Sequence, residues 1–174
     1  KVNLGVDPAT GVTLFQSQNV AEARIYGAEF DARVDVSAWS PRLAGWSGRL
    51  AGSWIRGDDL TRDVPLNSID PPRLVLGMRY DAPSTRWGSE LALTAVEAQR
   101  EVDRSRADLY RTNGYATLDW LANVNITPRL RLNIGLFNLT DTEYIEWSDV
   151  RGRVADDSLV PYYTRAGFNV SASL

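Results

Sequence analysis

The chain has 174 residues, with 19 basic residues against 22 acidic and neither histidine nor cysteine. Those absences exclude disulfides, thiolate and imidazole metal ligands, cysteine nucleophiles and the usual catalytic triads. A net charge of −3, spread along the chain, forms no basic patch for a phosphate backbone, so nucleic acid is not an expected partner.

Mean hydropathy is slightly negative, and no run reaches the roughly 18 apolar residues of a membrane-spanning helix. A strand with a polar residue at every second position escapes that measure, so spanning by β-barrel stays open. No signal peptide begins at Lys1, which suggests either a cytosolic protein or an internal piece of a longer chain.

Val2 to Val6 and Val12 to Gln18 read as a hairpin around Asp7-Pro8-Ala9-Thr10-Gly11, where proline presets one dihedral and glycine tolerates positive φ. The first long strand has the clearest two-residue period: Tyr26, Ala28, Phe30, Ala32 and Val34 on one face, and Gly27, Glu29, Asp31, Arg33 and Asp35 on the other. A one-residue slip would invert the pattern, so its register is specified. The second strand aligns Trp46, Gly48, Leu50, Gly52 and Trp54, which puts two indoles about 27 Å apart, or roughly 20 Å in depth once the strand tilts. Such a pair suits the two aromatic girdles of a membrane barrel, and Trp87 and Trp120 are assigned to the girdles with Trp46 and Trp54. Capping a soluble core is the alternative role for these indoles.

Leu74, Leu76, Met78 and Tyr80 form the apolar face of the third strand, and Trp87, Leu91, Leu93 and Ala95 that of the fourth, where Ser89 interrupts the set. The fifth strand offers Ala116, Leu118, Trp120, Ala122, Val124 and Ile126, and the sixth Leu130, Leu132, Ile134 and Leu136 across the turn Thr127-Pro128-Arg129. A seventh runs through Ala166, Phe168, Val170, Ala172 and Leu174, and its stop in mid-strand suggests truncation. The joins alternate short (Ser37 to Gly45, Ala82 to Arg86, Thr127 to Arg129) and long (Arg56 to Pro72, Glu97 to Gly114, Asn138 to Pro161). Successive joins of an up-and-down antiparallel sheet fall on opposite edges. The expected fold is therefore all-β: an antiparallel up-and-down transmembrane β-barrel segment with tight turns at one rim and large loops at the other.

Three clusters invite a chemical reading. Asp58-Asp59 with Asp63 departs from the calcium-loop spacing and reads as solvated loop carboxylates, as does Asp156-Asp157. Glu29, Asp31, Arg33 and Asp35 are expected to face a lumen, where such charges either pair with one another or line a transport path. Tyr144, Trp147, Arg151 and Arg153, with Tyr162 and Tyr163, populate the longest loop; they suit ligand contact or packing of the loop on itself equally well. No nucleophile and base with supporting spacing can be named, so an enzyme is not expected.

The stretch Gly135-Leu136-Phe137-Asn138-Leu139-Thr140-Asp141-Thr142-Glu143-Tyr144 resembles the penultimate-strand signature of TonB-dependent outer-membrane receptors. Asn19 to Glu29 is similar to a strand of that family's barrel, Pro65 to Arg73 to its proline-marked loop return, and Trp147-Ser148-Asp149-Val150-Arg151-Gly152 to its haem and haemoglobin branch. The resemblance implies that residues 1–174 are a C-terminal part of a barrel of about 22 strands enclosing a plug domain. It implies a Gram-negative outer-membrane location, with lipid, the plug, the TonB complex and haem or a haem-carrier protein as partners. Haem would be cargo, with no cofactor held in this segment, because the family's haem-ligating histidines lie in the plug and an earlier loop. The chain departs from the family in lacking its aromatic terminus. A siderophore or metal-chelate receptor and a soluble β-sandwich binding module are the alternatives.

Overall fold

The computed structural model describes residues 2–16, 22–105 and 107–174. Asn19 to Ala21 of the strand resemblance, and the expected hairpin strand beyond Gln16, lie outside them. The chain opens on a two-stranded antiparallel hairpin of β1 (Val2–Val6) and β2 (Thr13–Gln16). The Asp7 carboxylate closes its turn, accepting from the Ala9 amide at 2.9 Å and the Thr10 hydroxyl at 2.7 Å, and Gly11 takes a φ of 68°.

All remaining strands form one antiparallel sheet: β3 (Ala23–Asp35), β4 (Trp46–Asp59), β5 (Val64–Pro65), β6 (Arg73–Asp81), β7 (Trp87–Val96), β8 (Tyr115–Thr127), β9 (Leu130–Phe137) and β10 (Asn169–Ser173). The seven main strands lie in chain order, and β5 is a short addition to the end of β4. Every step from strand to strand is thus a simple up-and-down return, as the alternation of joins requires.

Because side chains alternate at every residue, register decides which surface each residue joins. Val34, Gly48, Met78, Leu91, Trp120, Leu136 and Val170 lie side by side across seven strands. One residue along, Asp35, Ser47, Arg79, Glu90, Leu121, Gly135 and Ser171 form the neighbouring row on the opposite face. The first face carries no charge over the middle of the sheet. Phe30, Leu50, Leu74, Leu76, Met78, Leu91, Leu93 and Val170 are all exposed on it, with no second layer covering them among the described residues. A soluble β-sandwich would bury that face against a second sheet, and the described residues form no such sheet. No helix among the described residues is long and apolar enough to cross a membrane.

Two boundaries differ from expectation. β4 runs on to Asp59, because β3 starts at Ala23 and pairs with it there, so the following loop begins after Asp59 and not at Arg56. The final strand begins at Asn169, because the Phe168 amide donates to the Asp141 carboxylate at 2.8 Å and not to the β9 ladder. The join between β3 and β4 is tight but structured: two 3₁₀ turns, Val36–Ala38 and Pro41–Leu43, are capped by Asp35 and Ser40.

Close strand approach is visible at Gly27, where a Cβ would meet the Trp54 carbonyl oxygen and come 2.8 Å from the Ile55 Cα. Both neighbours are backbone, so neither can swing aside. Gly27→Val is expected to cost about 1–3 kcal/mol by overpacking the β3–β4 pair, read as a lower urea midpoint of the detergent-solubilised full-length protein.

Candidate functional site

The three long joins, 60–72, 97–114 and 138–168, gather at one rim of the sheet and lock together. The first turns back over the polar face, where Gly57 leaves room for Leu66 and Ile69 and a Cβ would lie 2.8 Å from Ile69 Cγ1. Asn67 is the hub. Its carbonyl accepts the Trp147 indole N–H at 3.1 Å, and its side-chain oxygen accepts the Asp103 amide at 2.7 Å. The neighbouring carbonyls of Ser68 and Ile69 accept from Arg151 at 3.3 Å and Gln99 at 3.0 Å. Beneath them Val102, Trp147 and Val150 form a buried cluster, with Tyr110, Ile145 and Tyr163 packed against it.

Charge pins this cap at two further places. Asp59 is buried at the end of β4, and Arg62 bridges it at 2.7 Å to Asp103 at 3.1 Å. Burial raises the Asp103 carboxyl, but the Ser105 hydroxyl and amide and the Arg62 guanidinium outweigh it and hold the group below its usual range. In the last loop, Arg153 lies over the Tyr163 ring at 4.4 Å, donates to its hydroxyl, and pairs with Asp157 at 2.7 Å. The Leu159 amide and then Arg153 hold the Asp157 carboxyl below its usual value of 3.8.

The loop residues singled out from sequence therefore divide. Trp147 is only 2% exposed and ties two loops together. Tyr144 stacks on Tyr115 with centroids 4.1 Å apart, and burial followed by the charge of Glu146 raises its hydroxyl above the ordinary range. Arg151 and Arg153 are engaged as described, so all four act within the cap. Tyr162, in contrast, stays in solvent, at 83% exposure.

On the polar face, Asp31 pairs with Arg49 at 2.7 Å, and Asp35 caps the turn through the Ser37 amide at 2.9 Å. Glu29 and Arg33 share that face and make no ion pair among the described residues. The larger network lies elsewhere. Arg79 reaches Asp81 at 2.5 Å, Glu90 at 3.4 Å and Asn123 at 3.2 Å. Its members come from three strands, so sequence spacing could not join them.

On the apolar face, Trp46, Tyr80 and Trp87 form a ladder beside the short turns, with centroids 5.1 and 5.2 Å apart. Tyr26 and Trp54 pair edge-on at 5.9 Å toward the loop rim. Trp120 lies apart from both groups in mid-strand, and its indole N–H donates to Ser89 at 2.8 Å. That bond accounts for the serine that interrupts the β7 apolar set. An indole surrounded by apolar groups needs an acceptor, and Ser89 supplies one.

Asn138 is the residue whose role sequence reasoning missed. Buried, with a φ of 51°, it donates its amide to Asp119 at 2.8 Å, and its side chain bridges the Thr142 carbonyl at 2.9 Å and the Thr142 amide at 3.0 Å. The motif carrying the family resemblance is thus a clasp that ends β9. Among the described residues no group of three or more acidic side chains is placed to hold a metal. Asp58 turns to Arg24 at 3.2 Å, away from the Asp59–Arg62 pair.

An up-and-down wall with one uncharged face, one polar face, tight turns at one rim and interlocked loops at the other has the build of an outer-membrane-type β-barrel segment. This chain belongs to the family described as "TonB dependent receptor-like, beta-barrel", which matches residues 2–139. It is 26% identical over 95% of its length to a probable hemoglobin and hemoglobin-haptoglobin-binding protein 4 of Haemophilus influenzae. It is also 29% identical over 79% of its length to a hemoglobin-haptoglobin utilization protein B of Neisseria meningitidis serogroup C. The chain spans 18% of the length of each of these relatives. Among solved structures it is similar to the copper transporter OprC, with TM-score 0.70, 19% identity, and coverage of 86% of this chain and 22% of that one. It also matches the unliganded ferric citrate transporter FecA, with TM-score 0.65, 17% identity, and coverage of 86% and 23%.

Two outcomes follow from the cap. Trp147→Ala leaves a cavity and an unmet Asn67 carbonyl, at a cost of about 3–5 kcal/mol. Limited proteolysis of the full-length protein is expected to cut within 97–114 and 138–168 faster than in the parent. For Asp157, a folded-state value below 3.8 means that its stabilisation is complete above that pH and is lost as pH falls through the lowered value. Hydrogen exchange at the Leu159 amide, corrected for intrinsic rate, is expected to lose protection only on that acid side.

Proposed function

We propose that this chain is the C-terminal wall and loop part of an outer-membrane receptor that imports haem, or haem drawn from a carrier protein, with energy delivered through TonB. Membership of the receptor family supports the class, and the similarity to hemoglobin-haptoglobin-binding and hemoglobin-haptoglobin utilization proteins of Haemophilus and Neisseria supports the ligand. The observation that carries the membrane reading is the charge-free ribbon running across seven strands and left uncovered. In this reading lipid solvates that ribbon, the Trp46–Tyr80–Trp87 ladder lies at one headgroup level, and Tyr26 and Trp54 lie at the other.

The polar face then lines the lumen, Glu29, Asp31, Arg33 and Asp35 included, and a plug domain elsewhere in the same protein fills it. TonB engages a part of the receptor outside residues 1–174, which form one stretch of a barrel of about 22 strands. Haem passes through as cargo, and the protein is a transporter, not an enzyme. The likeness to copper and ferric citrate transporters is one of fold and names no ligand for this chain.

Growth tests the proposal. A Gram-negative strain lacking its own haem receptors, given the full-length gene, is expected to grow on haemoglobin as sole iron source, and only when TonB is intact. Growth on a ferric chelate alone would instead identify a chelate importer. Leu76→Arg puts a charge in the middle of the outward ribbon and is expected to cost about 2–4 kcal/mol, seen as less heat-resistant folded receptor on unboiled gels.

A further inference from the structure

We infer that Leu159 and Tyr162 form a preshaped contact for the polypeptide of the haem carrier, and not for the porphyrin it carries. The inference rests on the receptor reading above. Both residues belong to the 3₁₀ turn at Val160–Tyr163 and its preceding cap. A 3₁₀ turn has three residues per turn, so side chains three apart eclipse one another. Leu159 and Tyr162 therefore share the outer side, at 51% and 83% exposure, while Val160, at 6%, and Tyr163 share the inner side. Tyr163 packs on the Val102–Trp147–Val150 cluster, which seats the turn on the cap.

The turn is held from several directions. The Leu159 amide donates to Asp157 at 2.9 Å, the Tyr162 amide to the Leu159 carbonyl at 3.1 Å, and the Thr164 hydroxyl to the Pro161 carbonyl at 2.9 Å. Pro161, the second residue of the turn, limits its backbone further. A rigid base fixes where the two side chains project. The Tyr162 ring is 83% exposed and makes no side-chain hydrogen bond or aromatic contact among the described residues. A tyrosine on a fixed support gives large contact area for little loss of rotamer freedom, which is what a protein-binding anchor needs.

Porphyrin recognition would need cations for the propionates or a ligand for the iron. The arginines of this loop are already engaged: Arg151 with Ser68, Arg153 with Asp157 and Tyr163, and Arg165 with Glu146 and Asp149. The chain has no histidine, and a phenolate ligand from Tyr162 to haem iron would show as a loss of haemin binding in Tyr162→Phe. What the turn offers is an uncharged pair, one aliphatic and one phenolic, suited to a shallow apolar depression on a folded protein.

The test uses the full-length receptor in detergent, with haemoglobin and free haemin as separate probes. The double variant Leu159→Ser/Tyr162→Ser is expected to raise the Kd for haemoglobin by about tenfold or more and to leave haemin binding unchanged. Tyr162→Phe, which keeps the ring, is expected to stay within about threefold of the parent. Unboiled gel mobility checks that the variants remain folded. Equal haemoglobin affinity in the parent and the double variant overturns the inference, and so does a parallel fall in haemin binding. A parent receptor that binds no haemoglobin would remove the carrier reading itself, a result read before any variant is made.

Discussion

Backbone pairing between neighbouring strands is the constraint on which this molecule depends. β3 and β4 are matched residue for residue from Ala23 opposite Asp59 to Asp35 opposite Ser47, with no bulge. The same discipline continues through β6, β7 and most of β8. Where hydrocarbon replaces water, each unmet amide or carbonyl costs several kcal/mol, so only a saturated ladder can face it. A saturated ladder also fixes the phase of every side chain. The uncharged face, the charged face and the two rims are all consequences of that one register.

The rims obey different rules because their surroundings differ. At the tight-turn rim, short side chains close the backbone locally, as the Asp35 and Ser40 caps do. At the other rim there is little apolar material to bury, and the cap has only a three-residue buried cluster. Carbonyls at Asn67, Ser68 and Ile69 do the joining instead, each taking a donor from a different loop position. Such a cap is stabilised mainly by hydrogen bonds and ion pairs near water, each worth about 0.5–1.5 kcal/mol.

Aromatic residues illustrate how position changes meaning. Trp147 is buried and structural, Trp120 is satisfied by Ser89 in mid-strand, Trp46 and Trp87 stack through Tyr80, and Tyr162 stands free on a braced turn. The residue type is similar throughout. Depth, neighbours and hydrogen-bond supply assign the role.

The two-residue period of β3, β8 and β9 was enough to determine the strands, their faces and the up-and-down order, because a side chain's face depends only on its parity along the strand. The motif from Gly135 to Tyr144 was enough to point to the family. Whether the loop aromatics bind or pack could not be read that way. Trp147 meets Asn67 across 80 residues of chain, and Arg79 meets Asn123 across 44. Spacing carries no information about encounters at that separation. Only the tertiary structure, by bringing three loops to one rim and three strands to one arginine, decided which side chains were used up within the fold and which were left in solvent.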